Sequence, residues 1–358
     1  MKRILLINPF GIGDVLFTTP LIREIKRQYP DCFLGYWCNE RVCDILATNP
    51  CLDKVFGLSR GDLKKISRRS RLESTRRLWG LFSDLKKAKF EAALDFSLDH
   101  RYSLIAKFAG IKKRIGFNYK NRGRFLTDKI DIEGYCDKHT SEYYLDLLNF
   151  LGIIPKSSNL ELFVADDEKL KAQELFTDLG IKENDLVVGM AIGGGASWGK
   201  DASRKHWPAE KFAQLADRLT RDLGAKVLIL GDQEERLLSA KVMEISANRL
   251  IDLTGRTDLR GLAAVIAKLS LLIANDGGPL HMAVALGRPT VSFFGPVDPR
   301  LYGPYPPDEK RHLVLRQSMD CSPCYLKFRL VPCHKDMECL KSISVEDAFI
   351  AVKRLLER

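Results

Sequence analysis

The sequence predicts an α/β fold with two Rossmann-like domains, on three observations. Short β-branched runs alternate with helix-periodic stretches through both halves of the chain. Glycine-rich segments fall where such runs end, at residues 11–13, 193–195 and 277–278. The length of 358 residues exceeds what a single core usually holds.

In the first half the pattern places strands at residues 2–8, 33–37, 55–58, 92–97 and 114–117. Helices are expected over 14–29, 72–89, 102–109 and 142–151. Val15, Leu16, Leu21, Ile22 and Ile25 form the apolar stripe of the first of them. Residues 155–159 read as a polar linker. In the second half, strands over 186–192, 226–230, 250–253, 271–275 and 290–294 alternate with helices over 209–223, 234–247, 259–268 and 279–286. Such βα units imply parallel sheets covered by helices on both faces. Domains are therefore expected over 1–160 and 161–340. A closing segment, 341–358, carries a helix expected to pack back toward the first domain. The two domains would face one cleft, with ligands outside the carboxyl ends of the strands.

The net charge of +11 points to an anionic partner. Its excess is concentrated in the first half. One run holds Arg60, Lys64, Lys65, Arg68, Arg69, Arg71, Arg76, Arg77, Lys86, Lys87 and Lys89 against Asp62, Glu73 and Asp84. A second holds Lys112, Lys113, Arg114, Lys120, Arg122, Arg124 and Lys129 against Asp128. Each run could be a solvated face or an anion-binding surface. No groove-reading helix motif or aromatic RNA platform accompanies them, which argues against a nucleic-acid partner. No stretch reaches the roughly 20 apolar residues needed to span a bilayer. The apolar run after Met1, Lys2 and Arg3 stops at Asn8 and Pro9 without a small-residue cleavage site. It is expected to be a buried strand of a cytoplasmic protein.

Four loops carry the candidate chemistry. Gly11, Gly13 and Asp14 follow the first strand, but Leu16 stands where a dinucleotide fingerprint needs its third glycine. Asp14 is either a helix cap or a general base facing an acceptor hydroxyl. Asp276, Gly277, Gly278, Pro279, Leu280 and His281 follow a second-half strand. Two glycines ahead of a helix leave N–H groups open to phosphate, and Pro279 suits the first helical turn. Asp276 sits at the strand tip, and His281 lies within reach of the same space. Gly193, Gly194, Gly195 and Ser197 form a phosphate-cradling loop, followed by Lys205, His206, Trp207 and Pro208. Lys205 is the natural cation for a leaving diphosphate, while His206 and Trp207 read as packing residues. Gly231, Asp232 and Glu235 follow another strand, where an acid can hold ribose hydroxyls or start a helix.

Taken in order, Gly13-Asp14, Lys205-His206-Trp207-Pro208, Gly231 with Glu235, Asp276 to His281, and Phe294-Gly295-Pro296-Val297-Asp298-Pro299 resemble glycosyltransferase family 9, the heptosyltransferases. The resemblance runs over essentially the whole chain and is most specific from Gly189 to Pro299. It implies a GT-B fold, with acceptor on the first domain and donor on the second. It further implies an inverting, metal-independent transfer of heptose from an ADP-sugar to the inner core of lipopolysaccharide, with no cofactor required. Asp14 would be the base and Lys205 would contact the diphosphate. Glu235 would hold the ribose and Asp276 the sugar hydroxyls. Gly277 and Gly278 would offer N–H groups to phosphate, alongside Gly194, Gly195, Ser197 and His281. Gly13, Lys64, Arg68, Lys120 and Arg122 would join Asp14 in meeting an anionic, lipid-linked oligosaccharide at the inner-membrane surface. Two departures stand out. Gly193, Gly194 and Gly195 replace hydroxyl residues found in some relatives, and Gly277 replaces a frequent threonine. Phosphate contacts therefore rest more on backbone and on Ser197.

Of nine cysteines, Cys32, Cys38, Cys43, Cys51 and Cys136 read as reduced, packed thiols. Cys321, Cys324, Cys333 and Cys339 could close a structural zinc site, pair as disulfides or stay reduced. Two rival functions fit parts of the pattern, a nucleotide-sugar epimerase of similar fold and a non-enzymatic nucleic-acid-binding protein. Turnover of donor alone would mark the first, and salt-sensitive duplex binding the second.

Overall fold

The computed structural model describes residues 1–357. The chain divides into two compact units, the first Met1–Leu160 and the second beginning at Glu161.

The first unit holds six parallel strands: β1 (Arg3–Asn8), β2 (Phe33–Cys38), β3 (Lys54–Gly57), β4 (Ala92–Asp95), β5 (Lys113–Tyr119) and β6 (Asp128–Ile132). Their order across the sheet is β3-β2-β1-β4-β5-β6. β1 is central, with Leu5 opposite Gly35 on one side and Ala93 on the other. Helices cover both faces, so its run Ile4, Leu5, Leu6 and Ile7 is fully buried, as continuous apolar strands of parallel sheets require. A Cβ on Gly35 would come within 2.5 Å of the Phe90 ring, which explains the glycine in that strand.

Periodicity predicts one helix over 14–29, but the structure breaks it. Helices Ile12–Leu16 and Thr19–Gln28 are separated at Phe17 and Thr18. Pro20 cannot donate to Leu16, whose carbonyl instead accepts the Thr19 hydroxyl at 2.7 Å. The edge strand β6, DKIDI, is not among the strands expected from sequence, because only Ile130 and Ile132 alternate against charge and that run is too short to stand out. Helix Arg60–Arg69 was missed because it buries nothing fully.

The second unit repeats the plan. Its strands are β7 (Val187–Ala191), β8 (Lys226–Leu230), β9 (Ile251–Asp252), β10 (Leu271–Asn275), β11 (Thr290–Phe293) and β12 (His312–Leu315). They run in the order β12-β11-β10-β7-β8-β9, all parallel. Trp207 is buried in this core, stacked on Phe293 at 4.2 Å and edge-on to Phe212 at 5.0 Å. Its indole N–H donates to the Ile343 carbonyl at 3.2 Å, so no polar atom of the ring is left unsatisfied.

The closing helix, Val345–Leu356, buries Ala348, Phe349, Val352 and Leu355 in the second unit's core. It lies on helix Ala209–Leu223, where Arg218 pairs with Glu346 and covers the Phe349 ring. Among the described residues no helix is long and apolar enough to cross a membrane.

Candidate active site

In an open parallel sheet, the crevice forms where strand order reverses, between two neighbouring strands whose following loops part in opposite directions. In the second unit that point lies between β7 and β10. The two glycine-rich loops predicted from sequence leave the carboxyl ends of these two strands.

The loop after β7 needs glycine for conformation. Gly194 and Gly195 adopt φ of +108° and +75°, in the left-handed region. Gly193 needs it for space, since a Cβ there would fall 1.9 Å from Glu235 Oε1. Glu235 reaches across from the β8 loop. Its Oε1 accepts the Gly194 N–H at 2.6 Å and its Oε2 accepts the Asp232 N–H at 3.0 Å. Burial pushes its carboxyl up, against the opposing pull of these two N–H groups. Glu235 is thus first a clamp on the glycine loop, with further lone pairs able to accept a hydroxyl. His206, expected to pack, closes the same loop through Nε2, 2.9 Å from the Gly194 carbonyl.

On the β10 side, helix Gly278–Ala285 starts from Gly277 with no side-chain cap, leaving its first-turn N–H groups for an anion. The backbones of the two loops nearly touch, and a Cβ on Gly277 would lie 3.3 Å from Gly194 Cα. Lys205 Nζ and Asp276 Oδ2 form an ion pair at 2.6 Å, both side chains about nine-tenths buried. Lys205 also lies 4.3 Å from the centroid of Trp198. His281 is buried beneath the helix start, and burial holds its imidazole down to about 4. At neutral pH it is therefore an uncharged hydrogen-bonding group rather than a cation for phosphate. Ser197 is exposed, two residues beyond Gly195 in the short helical stretch Ala196–Lys205.

Sequence reasoning passed over Asn275. Its Nδ2 donates to the carbonyls of Ile192 at 2.7 Å and Gly193 at 3.1 Å. Its Oδ1 accepts the Trp207 N–H at 2.8 Å. One buried amide thus ties together the glycine loop, the strand bearing Asp276 and the segment bearing Lys205.

The first unit has its own reversal, between β1 and β4. Gly13 and Asp14 stand there, in the helix that follows β1. The N-cap of that helix is Gly11, so Asp14 is not the cap. Its Oδ1 lies 3.5 Å from the Tyr144 hydroxyl, and the Asn8 amide holds its backbone carbonyl at 3.0 Å. Across the reversal, β4 ends in Asp95, another group missed from sequence. Burial raises its carboxyl to about 7, against the Ser97 N–H that donates to it at 2.9 Å.

The basic residues are distributed differently from their sequence runs. Lys64 and Arg68 sit on the exposed helix after edge strand β3, and Lys120 and Arg122 in the turn after β5. These two sets follow strands on opposite sides of β1, each two strands away, about 10 Å in sheet spacing. The second run is divided by β5. Lys112, Lys113 and Arg114 lie at its start, about 20 Å from Lys120 beyond its end. Arg114 is committed internally, donating to the Phe125 carbonyl at 2.6 Å.

Cys321, Cys324, Cys333 and Cys339 are free thiols, unpaired by any disulfide. Among the described residues no three or more His, Cys, Asp or Glu side chains are placed to hold a metal ion. The structural zinc alternative therefore finds no assembled ligand set. Cys333 Sγ instead accepts the Met337 N–H at 3.3 Å, and Cys324 lies 3.9 Å from the Arg204 guanidinium.

The order and geometry of these loops agree with a family match. Residues 78–332 fit the model for glycosyltransferase family 9 (heptosyltransferase). The chain belongs to that family. It is 26% identical over 313 residues to lipopolysaccharide heptosyltransferase 2 of Escherichia coli strain K12, covering 83% of this chain and 84% of the relative. The glycosyl transferase family 9 structure from Veillonella parvula DSM 2008 superposes with a TM-score of 0.84 at 26% identity, over 99% of this chain and 97% of that one. The E. coli heptosyltransferase WaaC, solved with ADP-2-deoxy-2-fluoro heptose, gives a TM-score of 0.72 at 18% identity, covering 98% and 99% of the two chains. The two Rossmann-like units are thus those of a GT-B glycosyltransferase, and the protein is an enzyme of that class.

Proposed function

We propose that this glycosyltransferase moves a heptose, or a closely related sugar, from an ADP-sugar to the inner core of lipopolysaccharide. The observation that carries the donor half is the β7/β10 reversal. Open first-turn N–H groups, a left-handed glycine turn and the Lys205 ammonium all border one point there. Two negative phosphates require that combination of fixed dipoles and one cation. Asp276 then holds Lys205 in place before donor arrives, and turns to sugar hydroxyls when phosphate takes over the ammonium. Glu235, already clamping Gly194, accepts from the ribose. Gly194, Gly195, Gly277 and Gly278 supply backbone donors, with Ser197 at the loop's exposed edge.

The reaction is a single inverting displacement that needs no metal. The acceptor oxygen forms its bond to the anomeric carbon while its proton passes to the Asp14 carboxylate. The bond from that carbon to the diphosphate breaks, and ADP departs with the electron pair, its charge met by Lys205 and the helix start. Lys64, Arg68, Lys120 and Arg122 meet the phosphates of a lipid-linked acceptor, with the enzyme working in the cytoplasm at the inner-membrane surface. A thermal-shift panel of nucleoside diphosphates and their sugars tests the donor. Stabilisation by ADP and ADP-sugars well beyond UDP or GDP is expected. Equal or reversed stabilisation would overturn the ADP reading.

A further inference from the structure

Helix Arg60–Arg69 and helix Arg71–Ala88 form a hairpin on the first unit. Its inward face is satisfied. Leu81 and Leu85 are buried in the core, and Leu63, Ile66 and Phe82 pack against it. Its outward face is not what solubility alone would select. Leu72 is 81% exposed and Trp79 is 69% exposed. Seven residues apart, they lie on one face of the helix, about 10 Å from each other, with exposed Thr75 and Arg76 between them. Phe108 and Leu170 are the exposed large apolar side chains of their own helices, and Leu237 shares its helix with Ile245, which is only 40% exposed.

Cations frame this apolar pair. Lys64, Lys65, Arg68, Arg69, Arg71 and Arg76 are all exposed, and none is paired with a carboxylate among the described residues. Of the nearby acids, Asp62 caps its own helix, Glu40 takes Arg77 and Asp84 takes Lys54, so Glu73 is the carboxylate left beside the cluster, where it acts on Arg77. A soluble anion or a nucleic acid would account for the charge, but neither would be served by an outward leucine and tryptophan. A bilayer uses both. Anionic headgroups meet the cations, tryptophan settles at the headgroup level, and leucine reaches the acyl boundary.

We infer that the hairpin, through Leu72, Trp79 and the surrounding cations, is the face by which this enzyme docks on an anionic phospholipid bilayer. The inference rests on the proposal that the acceptor is lipid-linked, and it names the surface that brings the enzyme to it. The variants that test docking leave untouched Lys64 and Arg68, the residues assigned to the acceptor, so docking and turnover can be separated.

The full chain is tested on vesicles of phosphatidylglycerol with phosphatidylethanolamine, and on phosphatidylcholine alone. Wild type should sediment with the anionic vesicles only, and acyl-brominated lipid should quench its tryptophan fluorescence. Trp79→Phe should lose most of that quenching while still sedimenting, since Trp37 and Trp207 are buried and the half-buried Trp198 packs on Lys205 and Tyr325 in the second unit. The Leu72→Ser/Trp79→Ser and Arg71→Glu/Arg76→Glu pairs should each bind at least about tenfold more weakly. Both should keep wild-type melting and wild-type turnover of a deacylated, water-soluble acceptor. Unchanged quenching in Trp79→Phe, unchanged vesicle affinity in the Leu72/Trp79 pair, or equal binding to phosphatidylcholine would overturn the docking surface. So would duplex nucleic acid binding that depends on Leu72 and Trp79. Turnover without anionic-vesicle binding would refute docking alone. Vesicle binding that shows these dependences without any turnover would uphold docking and refute the transferase assignment.

Discussion

The two sheet reversals solve different problems with different materials. At β7/β10 the backbone is the instrument: glycines adopt left-handed turns, and Asn275, Glu235 and His206 each fix the loops through carbonyl or N–H contacts. At β1/β4 the proposed base is a partly exposed carboxylate, Asp14, with buried Asp95 across the reversal and the cations on separate elements to either side. A nucleoside diphosphate has fixed shape and charge, so dipoles set in advance suit it. On the proposed reading, an anionic lipid-linked acceptor would be met by long basic side chains, whose attraction needs charge more than placement. The proposed donor site is then a property of local geometry, and the proposed acceptor site a property of surface charge.

This contrast can be broken most sharply in the second unit. Trp207→Ala removes a ring that packs between Phe293 and Phe212, and should cost about 3–5 kcal/mol by denaturant unfolding. Loss of Lys205 should cost turnover rather than fold. Lys205→Met paired with Asp276→Asn, which avoids leaving a buried charge alone, should lower kcat about 10²–10³-fold in steady-state assays. Retained kcat would mean that the diphosphate lies elsewhere. Asn275→Ala leaves the carbonyls of Ile192 and Gly193 and the Trp207 N–H without their partner. It should destabilise the second unit by about 1–3 kcal/mol and weaken ADP binding in calorimetry. The matching change in the first unit, Asn8→Ala, loses part-buried bonds to the Asp14 carbonyl and the Phe10 N–H and should cost less.

A last contrast separates the units by pH. Asp95, raised to about 7 in the first unit, holds more protons folded than unfolded between about 4 and 7. Its contribution is full below that window and is lost as pH rises through it. His281, lowered to about 4 in the second unit, takes its proton in the unfolded chain first. Its contribution is full above about 6.5 and is lost as pH falls toward 4. Calorimetric scans at pH 5 and 7 should show the first unit relatively stronger at the lower value, by up to about 1.4 kcal/mol per pH unit for either group. Asp95→Asn should flatten the first unit's dependence alone.

What could be read from sequence followed the same division. Buried strands such as β1, β8 and β10 announce themselves as apolar runs, and the glycine loops as breaks after them. β6 and helix Arg60–Arg69 are mostly charged, with two apolar residues each, and only the Ser59–Asp62 capping box marks the helix start. The Glu235 clamp on Gly194 joins residues 41 positions apart, and the Asn275 bonds span up to 83. Spacing along the chain cannot show such pairings. The second basic run is contiguous in sequence but is divided in space by β5.

The central claim joins a donor site in one unit to a base in the other, and Asp14→Asn tests both at once. Calorimetry with an ADP-sugar and steady-state turnover should be measured on the same preparation. Unchanged donor affinity with kcat lowered about 10²–10⁴-fold is the expected result. Near wild-type turnover, or donor affinity lost along with it, would contradict the division of labour between the two reversals.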